Sequence, residues 1–193
     1  MCLTSRTHLI KGGFWMKFTV KHIVATAIGD AVFFLLARYA SIPVFANTYI
    51  SFQYAVLGFF AAVFGPICGV LIGLIGHTLT DLAFGWGIWW SWVIASAVVG
   101  LLAGFVVKAG KVEEGDFGKT DIVRFVIGSL IVHALSWGVA APVLDIVIYA
   151  EPADKVFVQG LIAGSSNFVI TAIVGTLLLV GYAKTRVKSG SLD

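Results

Sequence analysis

Hydrophobic residues run along this chain in long stretches broken by short polar punctuation. A membrane-crossing helix needs roughly 20 mostly apolar residues, within a range of about 17–25. The first such stretch is predicted over 21–40, and a polar, turn-prone segment over 41–53 follows it, with Pro43, Asn47 and Thr48. A shorter apolar run over 54–64 ends at Gly65 and Pro66, and Pro66 suits the first turn of a helix, where its missing N–H costs nothing. That third helix is predicted to reach Phe84. The second run is short for a crossing: it lies buried beside the others or high in the membrane.

Gly85, Trp86 and Gly87 form a tight link into a fourth span over 88–107. The one long charged loop covers 108–120. A fifth span over 121–149 contains Pro142, which frees a backbone carbonyl one turn earlier and should distort the helix. A polar turn over 151–155 leads to a sixth span over 156–183, and Lys184, Arg186 and Lys188 follow it. The predicted fold class is therefore an all-α membrane protein, a compact bundle of six transmembrane helices.

Composition agrees with this reading. Hydrophobic residues make up 59% of the 193 and charged residues only 12%, against about 25% charged in a soluble domain. Mean hydropathy is +0.98. The net charge of +3 is no nucleic-acid signal, because the basic residues sit at span ends and in one loop. With six spans, 11 of the 13 Lys and Arg residues fall on one side and only Arg38 and Lys155 on the other. The positive-inside rule then predicts both termini in the cytoplasm. Residues 1–15 are mixed and polar, and read either as a short tail or as an upstream extension before a start at Met16. The first apolar run continues past any plausible cleavage site, so no cleavable signal peptide is expected. The membrane domain is expected over 16–186, with a C-terminal tail over 187–193. Two cysteines, Cys2 and Cys68, give no disulfide framework and no metal-ligand spacing.

Small residues recur four apart at Ala27 and Ala31, Gly69 and Gly73, Gly100 and Gly104, and Gly160 and Gly164. In lipid such pairs let helix backbones approach closely. The glycine pairs read as packing within the bundle. Ala27 and Ala31, beside Ala25 and Gly29, make a smooth face on which a partner helix could dock.

Ionisable residues within spans are costly and mark candidate sites: Asp30, Arg38, His77, Asp81, Arg124, His133 and Asp145. Arg38, Asp81 and Asp145 fall toward the outer ends of their helices, and an ion pair of Arg38 with one of the carboxylates is the simplest expectation. His77 and Asp81 stand four apart on one helix face, too few ligands for a metal. His133 reads as a hydrogen-bonded bundle residue. Aromatic residues gather on the same outer side: Tyr49, Phe52 and Tyr54 with Gln53, then Trp86, Trp89, Trp90 and Trp92, then Tyr149. Interfacial tryptophans usually form a belt, but four within seven positions must point in several directions, so some face inward. An apolar, aromatic pocket with a few polar groups is the usual form of a small-molecule site. No phosphate-cradling loop and no setting for a serine nucleophile is present, so the chain is not expected to be an enzyme or to hydrolyse ATP itself by that route.

Several stretches resemble the S components of energy-coupling factor (ECF) transporters, bacterial vitamin importers. They are ATAIGDA at 25–31, ISFQYAVL at 50–57, FGPICG at 64–69 continuing into GHTLTD at 76–81, and WWSWVIA at 89–95. The resemblance covers 16 to about 186 and implies a bacterial cell-membrane location. It implies a complex with a membrane-embedded coupling subunit and two ATPases that use the ATP, with no permanently bound cofactor. It implies docking through an Ala-x-x-x-Ala motif, matched by Ala27 and Ala31, and toppling of the S component within the membrane. It also implies a vitamin site near the outer face, where Tyr49, Gln53, Trp86, Trp89, Trp90, Asp145, Tyr149 and Asn167 fall. No signature for riboflavin, thiamine, biotin or folate is evident, and cobalamin is the favoured ligand, a hydroxymethylpyrimidine or pyridoxine-type vitamin the next. The competing readings are a self-sufficient ion-coupled carrier using Asp30, His77, Asp81 and Asp145, and a membrane-embedded enzyme or assembly factor.

Overall fold

Inside a bilayer a backbone must satisfy its own N–H and C=O groups, which leaves the helix as the default for each apolar stretch. The computed structural model describes residues 18–45, 48–85, 87–107 and 111–186; the two tails expected over 1–15 and 187–193 lie outside them. Six helices form: α1 (Val20–Tyr39), α2 (Gln53–Phe64), α3 (Pro66–Phe84), α4 (Trp90–Val106), α5 (Lys119–Tyr149) and α6 (Ala153–Lys184). Four of them, α1, α3, α5 and α6, are long and apolar enough to cross a membrane. With 12 residues, α2 is only about 18 Å long, and it is almost wholly buried among its neighbours. The expectation of six full crossings thus reduces to six helices of which four have spanning length, with α4 at 17 residues.

Local sequence explains the joints. Gly65 adopts φ 90°, a backbone shape open to glycine, and Pro66 then opens α3 directly. The stretch over 41–53, read from sequence as a polar turn segment, instead contains a two-stranded antiparallel hairpin. Its strands are β1 (Ser41–Phe45) and β2 (Thr48–Ser51), with Ile42 opposite Ile50 and Pro43 opposite Tyr49. Pro43 is tolerated because a two-stranded ribbon has only edge strands.

Pro142 perturbs α5 as expected, in the form of a π turn over Ser136–Ala140, where the Ala141 N–H bonds the Ser136 carbonyl five residues back. A second π turn, Thr171–Gly175, interrupts α6 with no proline beside it. The two helices are tied at this level. The Trp137 indole N–H donates to His133 Nδ1 at 3.1 Å, so the other ring nitrogen carries the proton and donates to Thr171 Oγ1 at 3.0 Å. His133 is thus the hydrogen-bonded bundle residue its position predicted.

The glycine pairs do what their spacing implies. A Cβ at Gly69 would meet the Gly100 backbone, one at Gly73 the Ser96 backbone, one at Gly104 the Pro66 backbone and one at Gly160 the Trp137 carbonyl. Helices α3 and α4 therefore pack backbone to backbone, where dispersion replaces the missing hydrophobic drive. The core is one apolar cluster around Phe33, Tyr54, Leu57, Ile72 and Trp137 and a second around Val63, Phe125 and Leu179. Large apolar side chains such as Val147, Leu161 and Leu177 are more than half exposed on the outside of the bundle, as lipid-facing positions should be.

Candidate functional site

One end of the bundle collects the end of α1, the hairpin, the start of α2, the end of α3, the start of α4, the end of α5 and the start of α6. A cleft of about 290 Å³ opens there, lined by His77, Asp81, Trp89, Trp92, Asp145, Glu151, Lys155 and Gln159. A smaller chamber of about 70 Å³ adjoins it, lined by Tyr49, Gln53, Tyr54, Thr80, Phe84 and Asn167 among others, and sharing His77, Asp81 and Trp92 with the cleft.

The aromatic wall is built by helical phase. Residues three apart share a face of a helix, so Trp89 and Trp92 at the start of α4 point the same way and Trp90 does not. Both indoles converge on one carboxylate from α5: Trp89 Nε1–H donates to Asp145 Oδ1 at 2.7 Å and Trp92 Nε1–H to Oδ2 at 2.6 Å. The Ser91 hydroxyl also donates to Oδ1. Asp145 is 2% exposed, and an isolated buried charge would cost several kcal/mol, on the order of the ion's desolvation. Three donors, charge-assisted and therefore strong, offset that cost and pin α4 to α5. Tyr149, one turn further along, stacks on Trp89 with ring centres 4.3 Å apart, and its hydroxyl accepts the Trp90 backbone N–H at 2.9 Å.

A second polar chain runs beneath. The Trp89 backbone N–H donates to Asp81 Oδ2 at 2.9 Å, and His77 Nε2 lies 3.5 Å from Asp81 Oδ1. A carboxylate only accepts, so Nε2 carries the imidazole proton and Nδ1 is free to accept from Ser96 Oγ at 2.5 Å; Ser96 in turn accepts from the Tyr54 hydroxyl at 2.9 Å. At the mouth, Lys155 pairs with Glu151 at 2.5 Å. Arg38 forms no ion pair with Asp81 or Asp145, contrary to the expectation from sequence. Its guanidinium lies 4.9 Å from the Phe84 ring centre and 5.4 Å from that of Tyr39; both carboxylates have nearer donors in the WWSW segment.

Of the residues the sequence singled out, Trp89 and Asp145 line the cleft, and Tyr49, Gln53 and Asn167 line the inner chamber. Tyr149 stands behind Trp89 as a brace. Trp90 is 48% exposed and turns away from both cavities. Trp86 lies outside the described residues. Sequence reasoning missed Thr80, Glu151, Lys155 and Gln159 as lining residues, and it read His77 and Asp81 as a pair on one helix face or as part of an ion relay rather than as walls of the ligand site. Their four-residue spacing was the available signal.

The opposite end is basic. Of the eight described Lys and Arg residues, Lys21, Lys111, Lys119, Arg124, Lys184 and Arg186 lie there and only Arg38 and Lys155 at the cleft end. Lys21 pairs with Glu113, whose carbonyl accepts from Arg186 Nε at 3.1 Å. Lys111 reaches Asp121 at 2.6 Å, which holds its ammonium pKa above the ordinary lysine value. Along α1, Ala27 and Ala31 are exposed together with Val24, Ile28 and Leu35, while Ala25, Thr26, Gly29 and Asp30 face inward.

Comparison with known proteins adds the family. The profile of the family described as "ECF-type riboflavin transporter, S component" matches residues 17–184. A UPF0397 protein of Exiguobacterium sp. is 53% identical over 177 residues, covering 91% of this chain and 97% of its own. One from Lactococcus lactis subsp. cremoris is 47% identical, covering 96% and 99%, and one from Streptococcus pneumoniae serotype 4 is 47% identical, covering 92% and 97%.

Proposed function

The chain belongs to the ECF-type riboflavin transporter S component family, and we propose that it captures a vitamin for an importer driven by a coupling subunit and two ATPases. The observation that carries the reading is the cleft at the lysine-poor end of the bundle, walled by Trp89 and Trp92 and held in shape by Asp145. By the positive-inside rule that end faces outward and both termini face the cytoplasm. The ligand enters from outside, and membership of an ECF S-component family supports energy supplied by partner subunits.

Its size and lining set the ligand class. Small-molecule sites hold about 300–1,000 Å³, and this cleft, at about 290 Å³, lies at the lower bound. Cobalamin, the ligand favoured from the sequence, would have to extend beyond its mouth, whereas a flat heteroaromatic vitamin of flavin size fits within such a cleft, which supports that ligand class. Indole faces suit such a ring by stacking. The exposed Ala27 and Ala31 face supports docking of α1 on the coupling subunit, because small side chains allow close helix approach.

Uptake of labelled riboflavin, pyridoxine, hydroxymethylpyrimidine and cobalamin in cells expressing this chain, with and without an ECF module, tests the proposal. Uptake of one vitamin only with the module is the expected result. Uptake without the module would replace it with a self-sufficient carrier, and no uptake of any of the four would overturn it.

A further inference from the structure

Two of the described cations stand at the cleft end of the bundle. Lys155 pairs with Glu151. Arg38, exposed in the last turn of α1, has no acidic partner and no hydrogen bond among the described residues. Its guanidinium lies against the Phe84 and Tyr39 rings. Ring faces attract the charge but use none of its five N–H donors. The dipole of α1 favours a cation in the last turn, and it too leaves those donors unspent.

Below Arg38, on the lipid-facing side of α1 and α3, lies an open groove of about 350 Å³ lined by Phe34, Leu79, Leu82 and Ala83. The lining residues are all apolar, and Leu79 and Leu82 are 43% and 55% exposed. Phe34 precedes Arg38 by four residues on α1, about one helical turn, and Ala83 adjoins Phe84 on α3. The guanidinium therefore stands at the outer rim of the groove, an apolar channel with a cation at its head.

We propose that this groove is a phospholipid site of the outer leaflet: one acyl chain lies between α1 and α3, and Arg38 donates to the head-group phosphate. A planar guanidinium matches a phosphate through two parallel N–H bonds. An anionic lipid is favoured over a zwitterionic one, because an ammonium beside the phosphate brings a like charge toward Arg38. Ala27, Ala31, Phe34 and Arg38 follow the four- and three-residue spacing of one helix face. The lipid thus takes the outer part of the α1 face whose inner part carries the two alanines. This inference rests on the outward orientation of the cleft end and not on what the cleft captures, so this test and the vitamin-uptake test fail independently.

Native mass spectrometry of the detergent-purified full chain provides the test, with phosphatidylglycerol and phosphatidylcholine of identical acyl chains as probes. One phosphatidylglycerol should be held at least about fivefold more tightly than phosphatidylcholine, the size of one arginine's attraction to an anionic lipid surface. Arg38→Gln should lower phosphatidylglycerol binding to the phosphatidylcholine level and leave phosphatidylcholine unchanged. Ala83→Trp, which fills the groove, should weaken both lipids. Both positions are exposed, and thermal unfolding verifies that each variant folds; Arg38→Gln carries the test if the tryptophan variant does not. Lys119→Gln combined with Lys184→Gln removes two exposed cations of the basic end and should leave the tight adduct in place. Loss of the adduct in that double variant would overturn the assignment to the groove. Equal retention of the two lipids by the wild type, or wild-type binding by folded Arg38→Gln or Ala83→Trp, would overturn it as well. If Arg38→Gln keeps its lipid but no longer co-purifies with the ECF module, the guanidinium belongs to a carboxylate of the coupling subunit and the lipid site falls.

Discussion

Asp145→Ala should loosen the joint between α4 and α5 and collapse the aromatic wall. The substitution strands three donors: Ser91 Oγ, which is fully buried, and the Trp89 and Trp92 indole N–H groups, which are partly open to the cleft. A buried donor left unpaired costs about 1–3 kcal/mol, and the two indoles fall at the low end because water from the cleft reaches them. Removing the carboxylate also relieves its own desolvation, which opposes the loss. The net destabilisation is about 2–4 kcal/mol, and at about 2–4 °C per kcal/mol for a protein of this size the melting temperature should fall by roughly 5–15 °C. Asp145→Asn keeps one acceptor oxygen but sets an amide N–H against an indole N–H, so it should lose about half as much. Thermal unfolding of the purified chain in detergent, with the tryptophan emission maximum followed in parallel, measures both. Emission should shift to the red as Trp89 and Trp92 leave the wall. A variant that melts with the wild type and keeps its emission maximum would refute the assignment of Asp145 as the clamp.

Three further outcomes are expected. Gly100→Val places a methyl-bearing carbon against the Gly69 backbone, which has no side chain to move aside; helices α3 and α4 must separate, and folded yield and melting temperature should drop by the equivalent of about 3 kcal/mol or more. Ala27→Trp or Ala31→Trp should abolish ECF-dependent uptake while leaving vitamin binding to the purified chain within about twofold, because both positions are exposed on α1 and remote from the cleft; equal uptake by the variants would remove α1 from the docking surface. Lys111 is held above the ordinary lysine value of 10.5 chiefly by its bond to Asp121. Its folded pKa is raised, so the stabilisation is fully present below 10.5 and is lost as pH climbs through the folded value. Melting temperature followed from neutral pH to well above 10.5 should therefore fall more steeply in the wild type than in Asp121→Asn, and parallel curves would refute the link.

Much of this protein is written in one dimension. Helix positions follow from apolar length, because lipid leaves a backbone no other partner than itself, and the predicted spans agree with α1 to α6 to within a few residues. The basic end, the α3–α4 glycine contacts and the α5 distortion at Pro142 were legible for the same reason: charge bias, four-residue spacing and a missing N–H are local properties. The family was legible too, from stretches of matching sequence.

Tertiary structure decided which groups meet. Asp145 stands 53 residues from Trp92, and hydropathy carries no information about which of several nearby donors a buried carboxylate will choose. Arg38 was the obvious choice by charge, yet its side chain lies on Phe84 and Tyr39, while two indoles in helical phase reach the carboxylate directly. The hairpin over 41–51 escaped notice because a short ribbon with a proline in one strand has too few residues to show a period. The inner chamber exists only where β2 and all six helices converge, from Ala37 on α1 to Asn167 on α6. Distances along the chain set what each helix is; the packing of their ends alone sets what the site can bind.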